Sequence, residues 1–341
     1  MLNLESSNLS LEKTLRELFT TEKSVSIDRI VSDFDNTLFH ISTPDPAEKT
    51  KIVLSIFLKC YNDLVKYGDV DSYLRNAYND SQWYTVLDQP EDGYNFSIFI
   101  DLQQISTTVL ASPEEMESLI AKLSLLKRNA LAAPFDVAFK RYDVLAQEAA
   151  VKNVDLYVPE ENSEEATSVI NYREDETIYI RPSHDRVTVI FTALFKDETD
   201  KIFGNVFLQE FVDARKRSIQ NAPQVLFSPY EPPLELRGLP EFQNFNYGQQ
   251  SATSKYDKGF VTFVLFPRHL VPQKRENTIT QIQLFRTYFH YHIKASKAYL
   301  HSRMRKRVLE YLKILNRAKP DQEEKDIERK TASGRRFVQR I

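Results

Sequence analysis

The feature that most constrains this chain is an uninterrupted helical stretch near its carboxyl end. No Gly or Pro occurs from Asn277 to Lys319, and Pro320 follows directly. The Asn277 side chain can accept from the free N–H groups of a first helical turn, and Pro320 predicts where the helix ends. One helix over this range would be roughly 60 Å long at a rise of about 1.5 Å per residue. That length exceeds what is needed to cover a single sheet.

The apolar residues of this stretch repeat every eleven positions. One set is Ile282, Ile293, Met304 and Leu315, and the other is Phe289, Leu300 and Tyr311. Eleven residues are close to three helical turns, so both sets fall on one side of a nearly straight helix. A heptad repeat fails because it would place Ser, Arg and Glu at apolar positions, so a two-stranded coiled coil is not expected.

The same stretch concentrates positive charge. From Lys294 to Lys319 there are nine Lys or Arg and one Glu, a net charge of +8, whereas the whole chain carries −3 and the remainder therefore −11. Two interpretations remain open. The stretch is either an ordinary packed helix with a solvated basic face, or a helix that docks on a partner and presents its charge to an acidic surface.

The docking interpretation predicts two sets of site residues on opposite faces of the helix. The apolar set, expected to bind a partner subunit, is Phe285, Phe289, Ile293, Leu300, Met304, Tyr311 and Leu315. The basic set, expected to contact an acidic partner, is Lys294, Lys297, Arg303, Arg305, Lys306, Arg307 and Lys313.

Composition limits the class of protein. A length of 341 residues, 42% hydrophobic residues, 22 Phe and 17 Tyr predict a globular chain with two domains. The single Cys60 excludes a disulfide framework and favours a reducing compartment. The amino terminus lacks a signal-peptide pattern, and the longest apolar run, 260–266, is too short to span a membrane. A soluble, cytoplasmic protein is expected.

Glycine is scarce, and this argues against one class of enzyme. The chain has only seven Gly, and none forms the Gly-rich loop that lets a backbone approach phosphate closely. We therefore expect no nucleotide cofactor, no metal and no catalytic residues.

The strand pattern predicts an α+β fold of two similar domains, each an antiparallel sheet covered by helix, followed by the long C-terminal helix. Strands are predicted near 26–32, 37–41, 51–60 and 94–100, and again near 168–172, 177–180, 186–195, 205–211, 224–227 and 260–266, with an edge segment at 231–234. A helix starting at 112 is expected to break or kink near Pro134.

The two halves resemble each other, since each contains paired β-rich runs, then an apolar strand and a long helix. The predicted domains are 1–148 and 149–276, followed by the helix 277–319 and a charged tail, 320–341. Acidic residues 149–166 predict an inter-domain linker or surface insertion, and polar residues 237–258 predict a loop.

One motif suggests catalysis. An apolar strand ends in Asp33-Phe34-Asp35-Asn36-Thr37, which resembles the first motif of haloacid-dehalogenase-type phosphatases, where the first Asp attacks phosphorus beside a magnesium ion. The remaining phosphatase motifs are missing. The alternative is that residues 33–36 form a hairpin turn, in which Asp and Asn are favoured. The equivalent segment of the second half, residues 173–176, supports this alternative.

The basic helix also raises the possibility of nucleic-acid binding. Tyr288, Tyr291 and Tyr299 alternate with basic residues and could stack on RNA bases. The chain is not basic elsewhere and lacks a nucleic-acid fold signature. His290 and His292 point to different sides of a helix and make a poor metal pair. The contiguous Ser-His-Asp at 183–185 cannot converge on one substrate atom.

Several collinear segments resemble one family over nearly the whole chain. They include residues 185–191, 225–228 with 231–236, 263–269, 291–294, 296–299, 303–305 and 315–318. These segments are similar to those of the family of subunit 2 of the actin-related protein 2/3 complex, and so is the Asp33-Phe34-Asp35 strand. Residues 149–166 and 237–258 are longer polar segments that depart from the family pattern.

The resemblance implies a non-catalytic structural core subunit. In that family the subunit pairs with subunit 4, and together they hold the actin-related subunits and contact the mother actin filament during branched nucleation. It implies that the basic set contacts the actin filament and that the apolar set binds the partner subunit. The phosphatase and the nucleic-acid-binding module remain the alternatives. The resemblance also implies a place in the cytoplasmic actin cytoskeleton.

Overall fold

The computed structural model describes residues 5–21, 25–78, 81, 83–108, 113–152, 167–173, 175–195, 197–217, 220–229, 231–243, 257–318, 327–330 and 336–339. Its helices are α1 Leu9–Thr20, α2 Tyr61–Gly68, α3 Val70–Ala77, α4 Leu102–Thr108, α5 Pro113–Ser124, α6 Leu126–Lys152, α7 Glu198–Arg217, α8 Pro240–Gln243 and α9 Pro272–Arg317. Its strands are β1 Asp28–Asp33, β2 Thr37–Ser42, β3 Lys51–Leu58, β4 Tyr84–Val86, β5 Phe96–Asp101, β6 Ser168–Ile170, β7 Ile178–Pro182, β8 Val187–Phe195, β9 Gln224–Ser228, β10 Asp257–Leu265, β11 Ile327–Lys330 and β12 Arg336–Gln339.

Two five-stranded sheets of the same topology dominate the fold. The first has the strand order β1-β2-β3-β5-β4 and the second β6-β7-β8-β10-β9, and every neighbouring pair is antiparallel. Helices α4, α5 and α6 follow the last strand of the first sheet along the chain, as α9 follows that of the second. The predicted fold class is therefore confirmed.

The chain divides into two compact units, Met1–His290 and Tyr291–Ile341. Both five-stranded sheets belong to the first unit, whereas the second contains the distal part of α9 and the antiparallel pair β11–β12. The domain boundaries at 148 and 276 stay a prediction. Most of the predicted linker, residues 153–166, and most of the predicted loop, residues 244–256, lie outside the described residues.

The second sheet is buried on both faces. On one face, Tyr179, Ile190 and Phe260 pack with residues of the 3-10 turn Leu234–Leu236 and of α8. On the other, Phe191 and Phe263 contact each other with ring centroids 5.9 Å apart and both meet α9. The segment 231–234, which we predicted as an edge strand, therefore leads into a turn that covers the sheet rather than extending it.

One predicted strand is wrong. Residues 205–211 lie inside α7, which packs on β8 and β9. Phe207 and Phe211 are four residues apart, so they share a helical face, and their stacked rings have centroids 6.1 Å apart. The β-forming composition of the segment misled the prediction, because burial on a 3.6-residue period decides its conformation.

The predicted helix breaks earlier than Pro134, and a kink at Pro134 stays a prediction. The chain turns at Leu125, between α5 and α6, while Pro134 lies within the 27-residue α6. Close packing occurs at this proline. A Cβ added to Gly68 of α2 would lie 2.6 Å from the Pro134 nitrogen, so only glycine lets α2 approach α6 this closely.

A polar network holds the segment between β4 and β5 against the first sheet. His40 Nδ1 lies 2.9 Å from both carboxylate oxygens of Glu91, and His40 Nε2 lies 2.9 Å from Asp28 Oδ1. The His40 ring stacks on Tyr94, and Ser55 Oγ donates to Glu91 at 2.7 Å. Burial lowers the pKa of His40, but hydrogen bonds to Asp28 and Glu91 outweigh this effect, so its pKa lies above the ordinary value.

We expect His40→Gln to lower the free energy of unfolding mainly at acidic pH. A raised His pKa contributes stability that is fully present below the unfolded-state value of about 6.5 and is lost as pH rises through the folded-state value. The loss should be about 1 kcal/mol or less, since the carboxylates are partly exposed. Denaturant unfolding of parent and variant from about pH 5 to about pH 9 tests this. If the difference in free energy of unfolding between parent and variant grows as pH rises, the raised pKa of His40 is contradicted.

Candidate functional site: the distal part of the long helix

The long helix begins earlier than its sequence predicts. Helix α9 runs for 46 residues from Pro272, so Asn277 is an interior residue and not the cap. Proline suits the first helical turn, where its missing N–H would have no partner and its fixed φ is already helical. At about 1.5 Å per residue the helix is roughly 70 Å long.

The proximal part of α9 is core. Phe285 and Phe289 are only 6% and 1% exposed, and Ile293 is 4% exposed. The ring centroids of Phe285 and Phe263 are 4.7 Å apart, and those of Phe289 and Phe207 are 5.7 Å apart. Phe285 and Phe289 therefore stabilise this chain's own core. Like Ile293, they offer no free surface to a partner, whereas the other four residues that we predicted for partner binding are exposed.

The distal part of α9 is solvent-exposed on every side, from Ala298 to Arg317. Apolar residues spaced four, four, three and four apart form one line along it, which we call the apolar row: Leu300, Met304, Val308, Tyr311 and Leu315. Their side chains are between 44% and 64% exposed. Residues at this spacing share a helical face. The four residues of this part that we predicted for partner binding therefore share the face of the apolar row.

A second line of residues carries positive charge. Four cations, with Glu310 between them, are spaced three or four residues apart and so share one helical face. We call them the basic row: Arg303, Lys306, Lys313 and Arg317. All are exposed. The Arg303 guanidinium lies 5.5 Å from the centre of the Tyr299 ring and donates to its hydroxyl at 3.1 Å. Arg303, Lys306 and Lys313 were predicted.

The seven predicted basic residues do not share one face. Arg307 lies three residues after Met304 and four before Tyr311, so it borders the apolar row. Lys297, which is half-buried, lies three residues before Leu300 on the same side. Lys294 and Arg305 border the other flank of the apolar row. The prediction counted charges along the sequence without their angular positions around the helix, so it placed residues from different faces in one set.

The sequence reasoning missed several exposed apolar residues. Val308, Leu309, Leu312 and Ile314 are between 46% and 63% exposed. An eleven-residue repeat identifies one apolar residue in every three helical turns, so apolar residues of the intervening turns were not included in the predicted set. Testing the three-and-four spacing would have found Val308. Arg317, the last member of the basic row, was omitted from the predicted set although it continues the same line.

The Asp-x-Asp motif is a hairpin turn. Asp33 pairs with Thr37 across β1 and β2, and Asp35 and Asn36 adopt positive φ angles of 64° and 53°. Asp and Asn tolerate this left-handed region better than most residues. The carboxylate of Asp35 accepts from Arg173 Nε at 2.6 Å, and Lys127 Nζ lies 3.4 Å away. Cations of the chain itself therefore engage the residue that a phosphatase would leave free.

Burial and these cations act oppositely on Asp35. Burial raises its pKa, but Lys127 and Arg173 outweigh burial, so the pKa lies below the ordinary value and the carboxylate is ionised. Within the described ranges, no three His, Cys, Asp or Glu side chains are placed to hold a metal ion. No helix in the described part of the chain is long and apolar enough to cross a membrane.

The other candidate polar residues occupy ordinary structural positions. His184 and Asp185 lie in the turn between β7 and β8, where Asp185 Oδ2 accepts from Arg186 Nε at 2.8 Å. His290 Nε2 lies 4.0 Å from Glu176 Oε1 and 29% of the side chain is exposed. These residues form no arrangement with a common reaction centre.

The chain combines two antiparallel sheets of one topology with a long helix whose distal part carries an apolar row and a basic row, as expected of a protein that assembles with partners. Comparisons with known proteins identify the family. The family described as Arp2/3 complex, 34 kD subunit p34-Arc, matches residues 54–322. The chain is 51% identical over 341 residues to actin-related protein 2/3 complex subunit 2 of Schizosaccharomyces pombe, with 99% of both chains covered. It is 37% identical over 339 residues to the subunit 2 of Dictyostelium discoideum, with 99% of this chain and 100% of that protein covered.

The chain belongs to the p34-Arc family of Arp2/3 complex subunits. Members of this family are structural, so the chain is a non-catalytic scaffold subunit and not an enzyme. The family predicted from the collinear segments is confirmed. The phosphatase and nucleic-acid alternatives receive no support from these comparisons.

Proposed function

We propose that this chain is a core subunit that holds the actin-related subunits and contacts the side of the mother actin filament during branched nucleation. Its apolar row binds subunit 4, and its basic row faces the filament. It works in the cytoplasmic actin cytoskeleton and needs no cofactor. Membership of the p34-Arc family supports the general role, and the distal part of α9 suggests how the role is divided between its faces.

The observation that carries the proposal is the exposure of the apolar row. Fully burying a Leu, Met or Val side chain contributes about 1.5–3 kcal/mol relative to leaving it in water. Five large apolar side chains in one line, each about half exposed, therefore forgo several kcal/mol in the isolated chain. A continuous apolar surface of this kind marks a protein interface. A helix or groove of the partner subunit supplies the missing burial.

Charge supports the second half of the proposal. The basic row lies on the side of α9 away from the apolar row, so both rows can be engaged at once. Exposed charges contribute mainly to the encounter rate and to salt sensitivity, because water and ions screen them. An acidic filament surface, as implied for actin by the family, is the partner that this charge suits.

The test is to isolate the tagged full chain from cytosol under mild salt and identify its stoichiometric partners. We expect subunit 4 and the actin-related subunits in equal amounts, and co-sedimentation of the assembly with actin filaments. Recovery of the chain as a stable monomer without these partners would contradict the proposal. Recovery of the complex without filament binding would contradict only the role of the basic row.

A further inference from the structure

Charged side chains connect the two sheets where equivalent hairpin turns meet. Asp33 ends β1 and Asp35 lies in the turn that follows, while the segment after β6, in the same place of the second sheet, carries Arg173 and Glu176. Arg173 Nε donates to Asp35 Oδ1 at 2.6 Å. The residues are 138 positions apart in the sequence, so this contact exists only in the folded chain.

The contact is the centre of a longer line of alternating charges. Lys127 of α6 lies 3.6 Å from Asp33 and 3.4 Å from Asp35. Arg173 lies 3.9 Å from Glu176, and Glu176 pairs in turn with Arg286 of α9. We call these six residues the ion chain: Asp33, Lys127, Asp35, Arg173, Glu176 and Arg286. Three cations alternate with three anions along it.

The ion chain is largely removed from water. The side chains of Glu176 and Arg286 are 6% and 5% exposed, and the Asp35 side chain is 15% exposed. Glu176 also accepts from the Leu194 backbone at 3.0 Å, and Arg286 Nε donates to the Tyr172 hydroxyl at 2.8 Å. These hydrogen bonds tie the charges to a strand of the second sheet as well as to α9.

Such an arrangement is better suited to setting geometry than to adding stability. Removing ions from water costs nearly as much as their attraction returns, so buried ion pairs contribute little net stability compared with apolar packing. Within the described residues, Arg286 Nη1 has no hydrogen-bond partner, which adds to that cost. An ion pair that is misaligned loses its attraction but keeps its desolvation penalty. The six charges therefore favour one relative placement of the elements that carry them.

Polar contacts also attach the proximal part of α9 to α6. Arg128 donates from Nε to Thr280 Oγ1 at 3.0 Å and from Nη2 to the Glu276 carbonyl at 2.7 Å. Arg275 Nη2 donates to both carboxylate oxygens of Asp143, at 2.6 and 2.8 Å. With Lys127 on the same helix α6, the ion chain and these contacts converge on one joint between the first sheet, the second sheet and α9.

We propose that the ion chain is a clamp that sets the angle between the two sheets and holds the proximal part of α9, and that filament binding by the assembled complex depends on it. The dependence on filament binding rests on the function proposed above. The Asp-x-Asp motif therefore has a structural role, because Asp35 contacts both Lys127 of α6 and Arg173 of the segment between β6 and β7.

The test measures the angle directly in the assembled complex. A bio-orthogonal nitroxide is placed at positions 85 and 226, which are exposed and lie on the outer strands β4 and β9 of the two sheets. Pulsed electron paramagnetic resonance then gives the distance distribution between the sheets. We expect Asp35→Asn to broaden and shift this distribution, because the substitution keeps the side-chain shape and the left-handed turn while removing the charge.

Asp185→Asn is the matched control. Asp185 also lies in a hairpin turn and pairs with an arginine, but that arginine is the adjacent Arg186 of the same turn. Its distance distribution should equal the parent's. If Asp35→Asn prevents assembly, Arg173→Gln takes its place, since the Arg173 side chain is 30% exposed and its loss is milder. An unchanged distribution in the Asp35 or Arg173 variant overturns the clamp.

Filament co-sedimentation of the same complexes tests the consequence. We expect the Asp35 variant to bind filaments about fivefold more weakly or worse, as for a typical coupling between sites. A broadened distribution with parental filament affinity would keep the clamp and refute its link to filament binding. If the Asp35 variant changes the distance distribution but reversing the basic row leaves filament binding unchanged, only the proposed filament contact is refuted.

Discussion

A chain carrying Met304→Asp and Tyr311→Asp is expected to fold but not to enter the complex. Both side chains are exposed in the isolated chain, at 64% and 63%, so the substitutions leave its core intact. In the assembly they would place two carboxylates where apolar burial is required. The lost burial alone amounts to about 4 kcal/mol, which is roughly a thousandfold in the association constant.

The measurement is recovery of the other subunits with the tagged chain, combined with circular dichroism of the chain itself. Ser302→Asp with Asn316→Asp is the matched control, because it adds the same charge to α9 outside the apolar row. Phe289→Ala gives the contrasting result, a loss of about 3–5 kcal/mol in folding stability, because Phe289 is 1% exposed. A full complement of subunits on the double aspartate chain would refute the apolar row as the interface.

Reversing the basic row is expected to separate assembly from filament binding. A complex with Arg303→Glu, Lys306→Glu and Lys313→Glu should contain every subunit and bind filaments roughly tenfold more weakly, or worse, at low salt. Each exposed ion pair contributes about 0.2–1 kcal/mol, and a reversal also introduces repulsion, so three reversals cost about 1–4 kcal/mol. The difference from the parent should shrink as salt screens the charges.

Filament co-sedimentation over a salt series checks this expectation. Lys13→Glu, Arg141→Glu and Lys216→Glu is the control, because these exposed cations lie on α1, α6 and α7 and change the net charge equally. Arg307 is deliberately excluded from the reversal, since it borders the apolar row and its substitution would affect assembly. Parental filament binding by an intact reversed complex at every salt concentration would refute the filament contact.

Local sequence patterns predicted most of the architecture for identifiable reasons. Strands such as β8 and β10 are continuous apolar runs, and sheets buried on both faces require that composition. The absence of Gly and Pro after Pro272 allowed a continuous helix, and the paired halves predicted two sheets of one topology. Residues 205–211 were misassigned because Phe and Val favour strands, whereas α7 buries Gly204 and Leu208 and places the half-buried Phe207 and Phe211 on one helical face.

The candidate site was predicted only in part. The sequence showed which residues of α9 are apolar, but not which of them the chain buries itself. Phe289 and Met304 belong to the same eleven-residue pattern, yet one is 1% and the other 64% exposed. What separates them is the position of α7 and the second sheet beside the proximal part of the helix. A periodic pattern contains no information about where neighbouring elements end.

By itself, the sequence determined the family, the α+β class, the presence of one long C-terminal helix and its concentration of positive charge, because these follow from local composition and collinear similarity. Only the tertiary structure decided that Asp35 pairs with Arg173, 138 residues away, and that the first half of the amphipathic helix is core. Pairing between distant residues depends on how whole sheets pack, and no short segment encodes that arrangement. The meaning of the Asp-x-Asp motif changed for this reason, from a catalytic candidate to the centre of the ion chain.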